Sequence, residues 1–278
     1  MTAPANRLNY QGDEDTVLVA GVMRSGQTWL CFMLAHALNA RFLEPYCLLR
    51  GIIYSGHDYV RDLSNGNLPG RASTACALVV KTHEKPDPHF SLTRKVVLIV
   101  RDPRDTATSA ALRYHVMKTT GSDVEEDAQG LSLLAIAARK PLNKPLNLKD
   151  RVWHLVYGNR LISIIMVARK WRAFYKAWLK IPFCHVVKFE DLVQQPVATM
   201  AGICRYMGIA VDDAQLRDTV HRLSMAEIKK HGLGGDNSKN IGFRKGVVGD
   251  FKNHLTRLEL AMIRHYCRPT AARFGYEL

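Results

Sequence analysis

The most restrictive feature of this 278-residue chain is an apolar run, Val17 to Ala20, that passes directly into Gly21-Val22-Met23-Arg24-Ser25-Gly26-Gln27-Thr28-Trp29 and then into a helical pattern. A strand, a glycine-bounded loop and a helix in succession aim backbone N–H groups and the helix dipole at one spot, where an anion such as phosphate is held. The spacing nearly reproduces G-x-x-x-x-G-K-[ST], but Gln27 stands at the lysine place. That lysine neutralises β- and γ-phosphates, so its replacement argues against ATP or GTP hydrolysis. The loop's cation is Arg24 instead. On local grounds the loop is either a phosphate cradle or a tight structural turn. Trp29 either joins the core or offers a stacking surface to a purine.

Around this loop the chain alternates strand and helix patterns. Short apolar runs predict buried strands at Val17 to Ala20, Ala75 to Val80, Val96 to Val100 and Cys184 to Phe189. Trp29, Met33 and Ala37 share one helical face with Leu30, Leu34 and Leu38, and Asn39 marks the stop. Further helices are expected from near Asp105, over about Leu148 to Leu179, over Pro196 to Met207 with proline in the first turn, and from Leu258 to Phe274. This order predicts an α/β fold, a P-loop-like, mainly parallel sheet flanked by helices, in a single domain. We expect a polar N-terminal tail over residues 1–15 and the domain over residues 16–278. Ligands of such sheets bind at the carboxyl ends of the strands. The basic stretch Ala138 to Arg151, with two prolines, reads as a lid or as a plain surface excursion.

Composition narrows the class. The chain is 47% hydrophobic, which supplies a sizeable core, and its net charge of +14 suits an anionic partner: nucleic acid, membrane surface or a phosphorylated ligand. No apolar run reaches the ~18 residues of a membrane span, and the polar, acidic start lacks the features of a signal peptide. The six cysteines (Cys31, Cys47, Cys76, Cys184, Cys204, Cys267) are scattered without a C-x-x-C pair, so neither a zinc site nor a disulfide framework is expected. The expected setting is cytoplasmic.

Three further segments begin at predicted strand ends or punctuate the C-terminal part. Val79-Val80-Lys81-Thr82-His83 brings a cation and an imidazole to the ligand edge. Val100-Arg101-Asp102-Pro103-Arg104-Asp105 leads into a helix that Asp105 or a neighbour caps, with Ser109 on its first turns facing back toward Arg101. Arg101 and Ser109 so placed clamp a phosphate, or else Arg101 pairs with Asp102 or Asp105. Gly242-Phe243-Arg244-Lys245-Gly246-Val247-Val248-Gly249 sets two cations between glycines, which permits close backbone approach to an anion.

In this order the four segments resemble the soluble sulfotransferase family, whose members move a sulfuryl group from 3′-phosphoadenosine 5′-phosphosulfate (PAPS) and release adenosine 3′,5′-bisphosphate (PAP) without a metal. The resemblance runs from about Thr16 to Lys252. It implies that Arg24, Ser25, Gly26, Gln27, Thr28 and Trp29 form the 5′-phosphosulfate loop, whose usual form is lysine-serine-glycine-threonine-threonine-tryptophan. Arg24 would offset charge on the bridging oxygen, residues 25–28 would hold the 5′-phosphate, and Trp29 would stack on adenine. Lys81 would bind the sulfuryl oxygens and His83 would be the general base, a role its reference pKa of ~6.5 suits at pH 7. Arg101 and Ser109 would hold the 3′-phosphate, and Arg244, Lys245 and Gly246 would close over it. Ser224 and Met225 would lie at the adenine, and Phe189 stands where the family has a tyrosine in Phe189-Glu190-Asp191-Leu192.

What the resemblance implies is an enzyme acting on a hydroxyl, or on an amine or carbamoyl nitrogen, of a small-molecule acceptor, a natural product among the options. Candidate acceptor contacts are Tyr54, His57, Tyr59, Tyr114, His115 and Trp153. No nucleic-acid or membrane partner is implied, and the chain is expected as monomer or homodimer. Lys252 and Thr256 match part of the family's dimer segment, while Arg257 and Ala261 depart from it. The rival readings are a P-loop small-molecule or nucleoside kinase, which Gln27 disfavours, and a basic nucleic-acid-binding domain. The second is disfavoured because the cations sit in motifs at strand ends rather than in one run with aromatics.

Overall fold

Side chains that alternate between two helical layers define the strands. In β1 (Thr16–Ala20), Val17 and Val19 face one layer while Leu18 and Ala20 face the other. β4 (Val96–Val100) is buried throughout and divides likewise, Val97 and Ile99 to one side, Val96, Leu98 and Val100 to the other. These strands join β2 (Arg41–Leu43), β3 (Leu78–Thr82) and β5 (Cys184–Lys188) in a five-stranded, all-parallel sheet of order β2-β3-β1-β4-β5. The computed structural model describes residues 16–43, 78–86, 95–120, 160–230 and 246–278.

One layer contains α1 (Gln27–Ala37), α4 (Phe189–Gln194), α5 (Pro196–Met207), α6 (Asp213–Arg222) and α7 (Met225–Lys230), which join the apolar cluster around Trp29, Leu30, Met33 and Leu34. α1 is buried on nearly every side and ends where Asn39 turns left-handed at φ 50. There Ala40 N–H donates to Ala35 O and Asn39 N–H to His36 O, the hydrogen-bond pair of a Schellman stop. The other layer holds α3 (Arg160–Trp178), α8 (Arg257–Ala272) and the start of α2 (Pro103–Thr120).

Trp171, Phe174, Tyr175 and Trp178 form the inner stripe of α3 at helical spacing. Each polar tip is satisfied by a strand-end carbonyl: Trp171 Nε1 donates to Arg101 O at 3.0 Å, the Tyr175 hydroxyl to Ile99 O at 2.8 Å, and Trp178 Nε1 to Glu84 O at 3.1 Å. A single helix thus fixes the ends of β3 and β4. α8 begins with a capping box between Thr256 and Glu259, and Glu259 also pairs with Arg160 Nε at 2.7 Å, joining the starts of α3 and α8. Cys31, Cys204 and Cys267 are buried, and burial pushes the Cys267 thiol up to about 12.

The structure moves several expected boundaries. The strand expected to end at Val80 continues to Thr82, so Lys81 and Thr82 belong to β3, while residues 75–77 lie outside the described residues. β5 stops at Lys188 because Phe189 already opens α4. β2, α4, α6 and α7 were not foreseen. Helices expected at 148–179 and 258–274 run over Arg160–Trp178 and Arg257–Ala272, with residues 148–159 outside the described set. Of the two expected caps of α2, Asp105 or a neighbour, it is the neighbour Asp102: the helix starts at Pro103, where Asp102 Oδ1 accepts from Arg104 N–H at 2.8 Å. No described helix is long and apolar enough to cross a membrane. The 138–151 stretch lies outside the described residues.

Candidate active site at the carboxyl edge of the sheet

β1 has β3 on one side and β4 on the other, so the chain leaves β1 into the crevice where the strand order reverses. The loop that follows is sharply bent. Arg24 takes φ 70, a left-handed conformation that costs a non-glycine residue about 1–3 kcal/mol, and Gly26 takes φ 87 as the residue preceding α1. A Cβ on Gly26 would meet the Phe189 ring at 2.3 Å, and one on Gly21 would meet Ile99 Cγ2 at 2.7 Å. Only glycine fits at either place. The loop therefore presses against β4 and α4, and the first N–H groups of α1 face the crevice mouth, as anion binding requires.

The left-handed turn sends Arg24 in two directions. Its Nε donates to Ser109 Oγ at 3.2 Å, and its carbonyl accepts from Arg101 NH1 at 3.2 Å. NH2 of Arg101 donates to Val247 O at 3.0 Å, and the guanidinium lies 4.2 Å over the Phe189 ring. Arg24, Arg101, Ser109 and the backbone at Val247 are thereby drawn together. The nearby carboxylates are occupied elsewhere. Asp102 is bound by Arg104 at 2.7 Å. Asp105 accepts from Gly249 N–H at 2.7 Å and Phe251 N–H at 3.0 Å. Glu190 accepts from Asp102 N–H at 3.0 Å and from the Tyr276 hydroxyl at 2.6 Å. Burial foremost raises the Glu190 pKa, and it raises that of Tyr276 as well.

At the end of β3, Lys81 is buried, opposite Val19 of β1, and His83 leaves the strand. His83 Nδ1 lies 2.7 Å from Gly21 O. A carbonyl can only accept, so in the neutral ring Nδ1 carries the proton and Nε2 the lone pair. His83 lines a cleft of about 720 Å³ together with Val22, Met23, Thr106, Val167, Trp171 and Phe174, with Lys85 and Lys170 also on its wall. Among the described residues, no cluster of His, Cys, Asp and Glu has the make-up of a metal centre.

The structure thus brings Arg24, Ser25, Gly26, Arg101 and Ser109 to one crevice and His83 to the adjoining cleft. Trp29 is buried, its Nε1 donating to Leu223 O at 2.6 Å, next to Ser224, whose Oγ accepts from Glu227 N–H at 3.3 Å. Gly246 approaches so closely that a Cβ on it would meet Met225 Cγ at 2.6 Å. Gln27 faces away from the crevice. Its side chain turns back to the strands, with Nε2 at 2.6 Å from Val19 O and 2.8 Å from Thr82 O, leaving only its backbone N–H toward the crevice mouth. Tyr54, His57, Tyr59, Trp153, Arg244 and Lys245 lie outside the described residues. Tyr114 and His115 fall on α2, with their side chains outside them. The tether from Asp105, the latch at Glu190 and the α3 aromatics escaped sequence reasoning.

A family model described as "Sulfotransferase domain" matches residues 14–275. A 3-alpha-hydroxysteroid sulfotransferase from Cavia porcellus is 24% identical over 268 residues, 88% of this chain and 79% of its own length. A 3-beta-hydroxysteroid sulfotransferase from the same animal is 22% identical over 260 residues, with the same 88% and 79% coverage. Among solved structures, a mouse sulfotransferase complexed with PAP superposes with a TM-score of 0.52 at 16% identity, covering 96% of this chain and 87% of that one. A retinol dehydratase in complex with androsterone and inactive cofactor PAP gives 0.53 at 16% identity, covering 95% of this chain and 83% of that one. These likenesses show the same fold.

Proposed function

The chain belongs to the sulfotransferase family, and from that premise we propose that it moves a sulfuryl group from PAPS to a hydroxyl, or to an amine or carbamoyl nitrogen, of a small-molecule acceptor, with His83 as general base. The observation that carries this reading is the 2.7 Å bond from His83 Nδ1 to Gly21 O. Gly21 is the residue that opens the phosphate loop, so the base and the donor loop are seated on one another. The relatives, hydroxysteroid sulfotransferases, and the PAP-bound structural neighbours support the same donor and acceptor chemistry.

The residues present suit the donor. Gly21 and Gly26 leave no room for a side chain, and the loop N–H groups and the start of α1 suit a 5′-phosphate. Arg101 and Ser109 suit the 3′-phosphate, with Arg244, Lys245 and Gly246 closing over it, and Trp29, Ser224 and Met225 suit the adenine. PAPS supplies the sulfuryl group and leaves as PAP with the electron pair of the broken S–O bond. The chain's residues manage the remaining charge and protons. Nε2 of His83 takes the acceptor's proton as the acceptor atom attacks sulfur, Lys81 holds the sulfuryl oxygens, and Arg24 offsets charge on the leaving oxygen. The cleft beside His83 combines apolar lining residues with Lys85 and Lys170, which suits a hydroxylated small molecule with an apolar body.

The test uses ³⁵S-labelled PAPS with a steroid alcohol, a phenol and a primary amine, following labelled product and PAP. Transfer to at least one acceptor is expected, and His83→Ala loses about 10²–10⁴-fold in turnover with PAP affinity retained. Turnover by that variant within tenfold of wild type removes His83 as the base. Phosphoryl transfer from ATP with magnesium, and none from PAPS, replaces the reading with a kinase.

A further inference from the structure

Gln27 stands where a phosphate loop would place a residue toward its ligand, yet its side chain faces the other way. It is 2% exposed, and its Nε2 lies 2.6 Å from Val19 O and 2.8 Å from Thr82 O. Both neighbours are carbonyl acceptors, so the amide nitrogen must be the atom between them, which settles the orientation of the carboxamide. Gln27 Oε1 is left buried with no hydrogen-bond partner among the described residues. An unpaired buried acceptor is unfavourable, so the carboxamide is held for its two donor bonds.

Those bonds lie directly behind the histidine. Thr82 O also accepts from Gly21 N–H at 3.3 Å, and Gly21 O accepts from His83 Nδ1 at 2.7 Å. Thr82 C=O and His83 N belong to one planar peptide unit. Whatever fixes the direction of that carbonyl fixes the plane from which His83 leaves β3. Gly21 and Gln27 fix it from two sides, and Gln27 at the same time ties it to β1 through Val19 O.

We propose that Gln27 is a positioning residue for His83: its carboxamide clamps the carbonyl ends of β1 and β3 and so seats the imidazole, with Nδ1–H on Gly21 O and Nε2 toward the acceptor cleft. This rests on the reading of His83 as the base. The contribution of Gln27 to the donor is its backbone N–H, and its side chain serves the base.

Gln27→Met keeps the length of the side chain and removes both donors. The expected result is a PAP dissociation constant within threefold of wild type, a kcat at least tenfold lower with little change in acceptor KM, and an ¹⁵N imidazole spectrum in which His83 passes from the Nδ1–H tautomer to a mixture. Gln27→Leu, which likewise offers no donor to either carbonyl, gives the same pattern and serves if the methionine variant does not fold. Unchanged kcat and an unchanged tautomer overturn the proposal. So does a parallel loss of PAP affinity with the tautomer intact, which makes the side chain a donor ligand. In the wild type, an Nε2–H tautomer of His83 overturns it without any variant. His83→Ala run alongside separates the two claims. If that variant keeps its turnover the base reading falls, whereas the tautomer of Gln27→Met reports on the seating itself.

Discussion

Gly26 combines three demands on one residue: φ 87, the position before α1, and a Phe189 ring carbon 2.3 Å from where a Cβ would stand. Phe189 in turn lies under the Arg101 guanidinium at 4.2 Å. Gly26→Ala therefore adds left-handed strain to overpacking, together about 2–5 kcal/mol, and displaces the ring that supports Arg101. We expect a melting temperature lower by roughly 3–9 °C and weaker PAP binding, both read in thermal unfolding scans. A melting temperature equal to wild type contradicts the packing described here. The glycine and the cations at strand ends were legible in the chain because loop, strand and helix patterns are local. The direction of Gln27 was not, because its acceptors, Val19 O and Thr82 O, are backbone atoms that only sheet formation brings side by side.

At the level of elements, the site depends on ties between distant segments. Asp105 of α2 holds the N–H groups of Gly249 and Phe251, far along the chain, so the turn after Gly246 is fastened to the end of β4. Local reading gave the cap to Asp105 or a neighbour, and the neighbour Asp102 fills it, whereas the remote partners of Asp105 leave no local signal. The same applies to β2, whose three residues are too few for a periodic signal. Glu190 at the start of α4 is the second tie, joining Asp102 N–H to the Tyr276 hydroxyl beyond α8. Burial raises its pKa above the ordinary 4.5. The folded state then binds more protons than the unfolded one between the two values, so stability falls as pH rises from about 4.5 through the raised value. Glu190→Gln keeps an acceptor for Asp102 N–H and can donate to Tyr276, and it has no proton to lose. Its stability relative to wild type should grow over that window and then level off, as followed by denaturant unfolding at successive pH values. Parallel curves for the two proteins contradict a half-buried, pKa-raised carboxylate.

On the scale of the whole molecule, part of the +14 charge gathers at one edge of the sheet. Arg24, Lys81 and Arg101 stand at the carboxyl ends of β1, β3 and β4, while Asp102, Asp105 and Glu190 are engaged in internal bonds. The parallel α/β architecture was legible because fully buried parallel strands read as continuous apolar runs. The family resemblance from Thr16 to Lys252 agrees with the family match over residues 14–275. The acceptor is less legible, since the cleft beside His83 records a size and a polarity rather than one molecule.

The central claim is that this edge binds a 3′-phosphorylated adenosine donor. The most direct measurement is thermal unfolding with PAP, compared with AMP and with ATP plus magnesium. At 100 times its dissociation constant a ligand of the folded state adds about 2.7 kcal/mol, roughly 5 °C or more for a chain of this size. A rise of that order with PAP, and little with AMP or ATP, is the predicted result. A rise with ATP and magnesium but none with PAP contradicts the account.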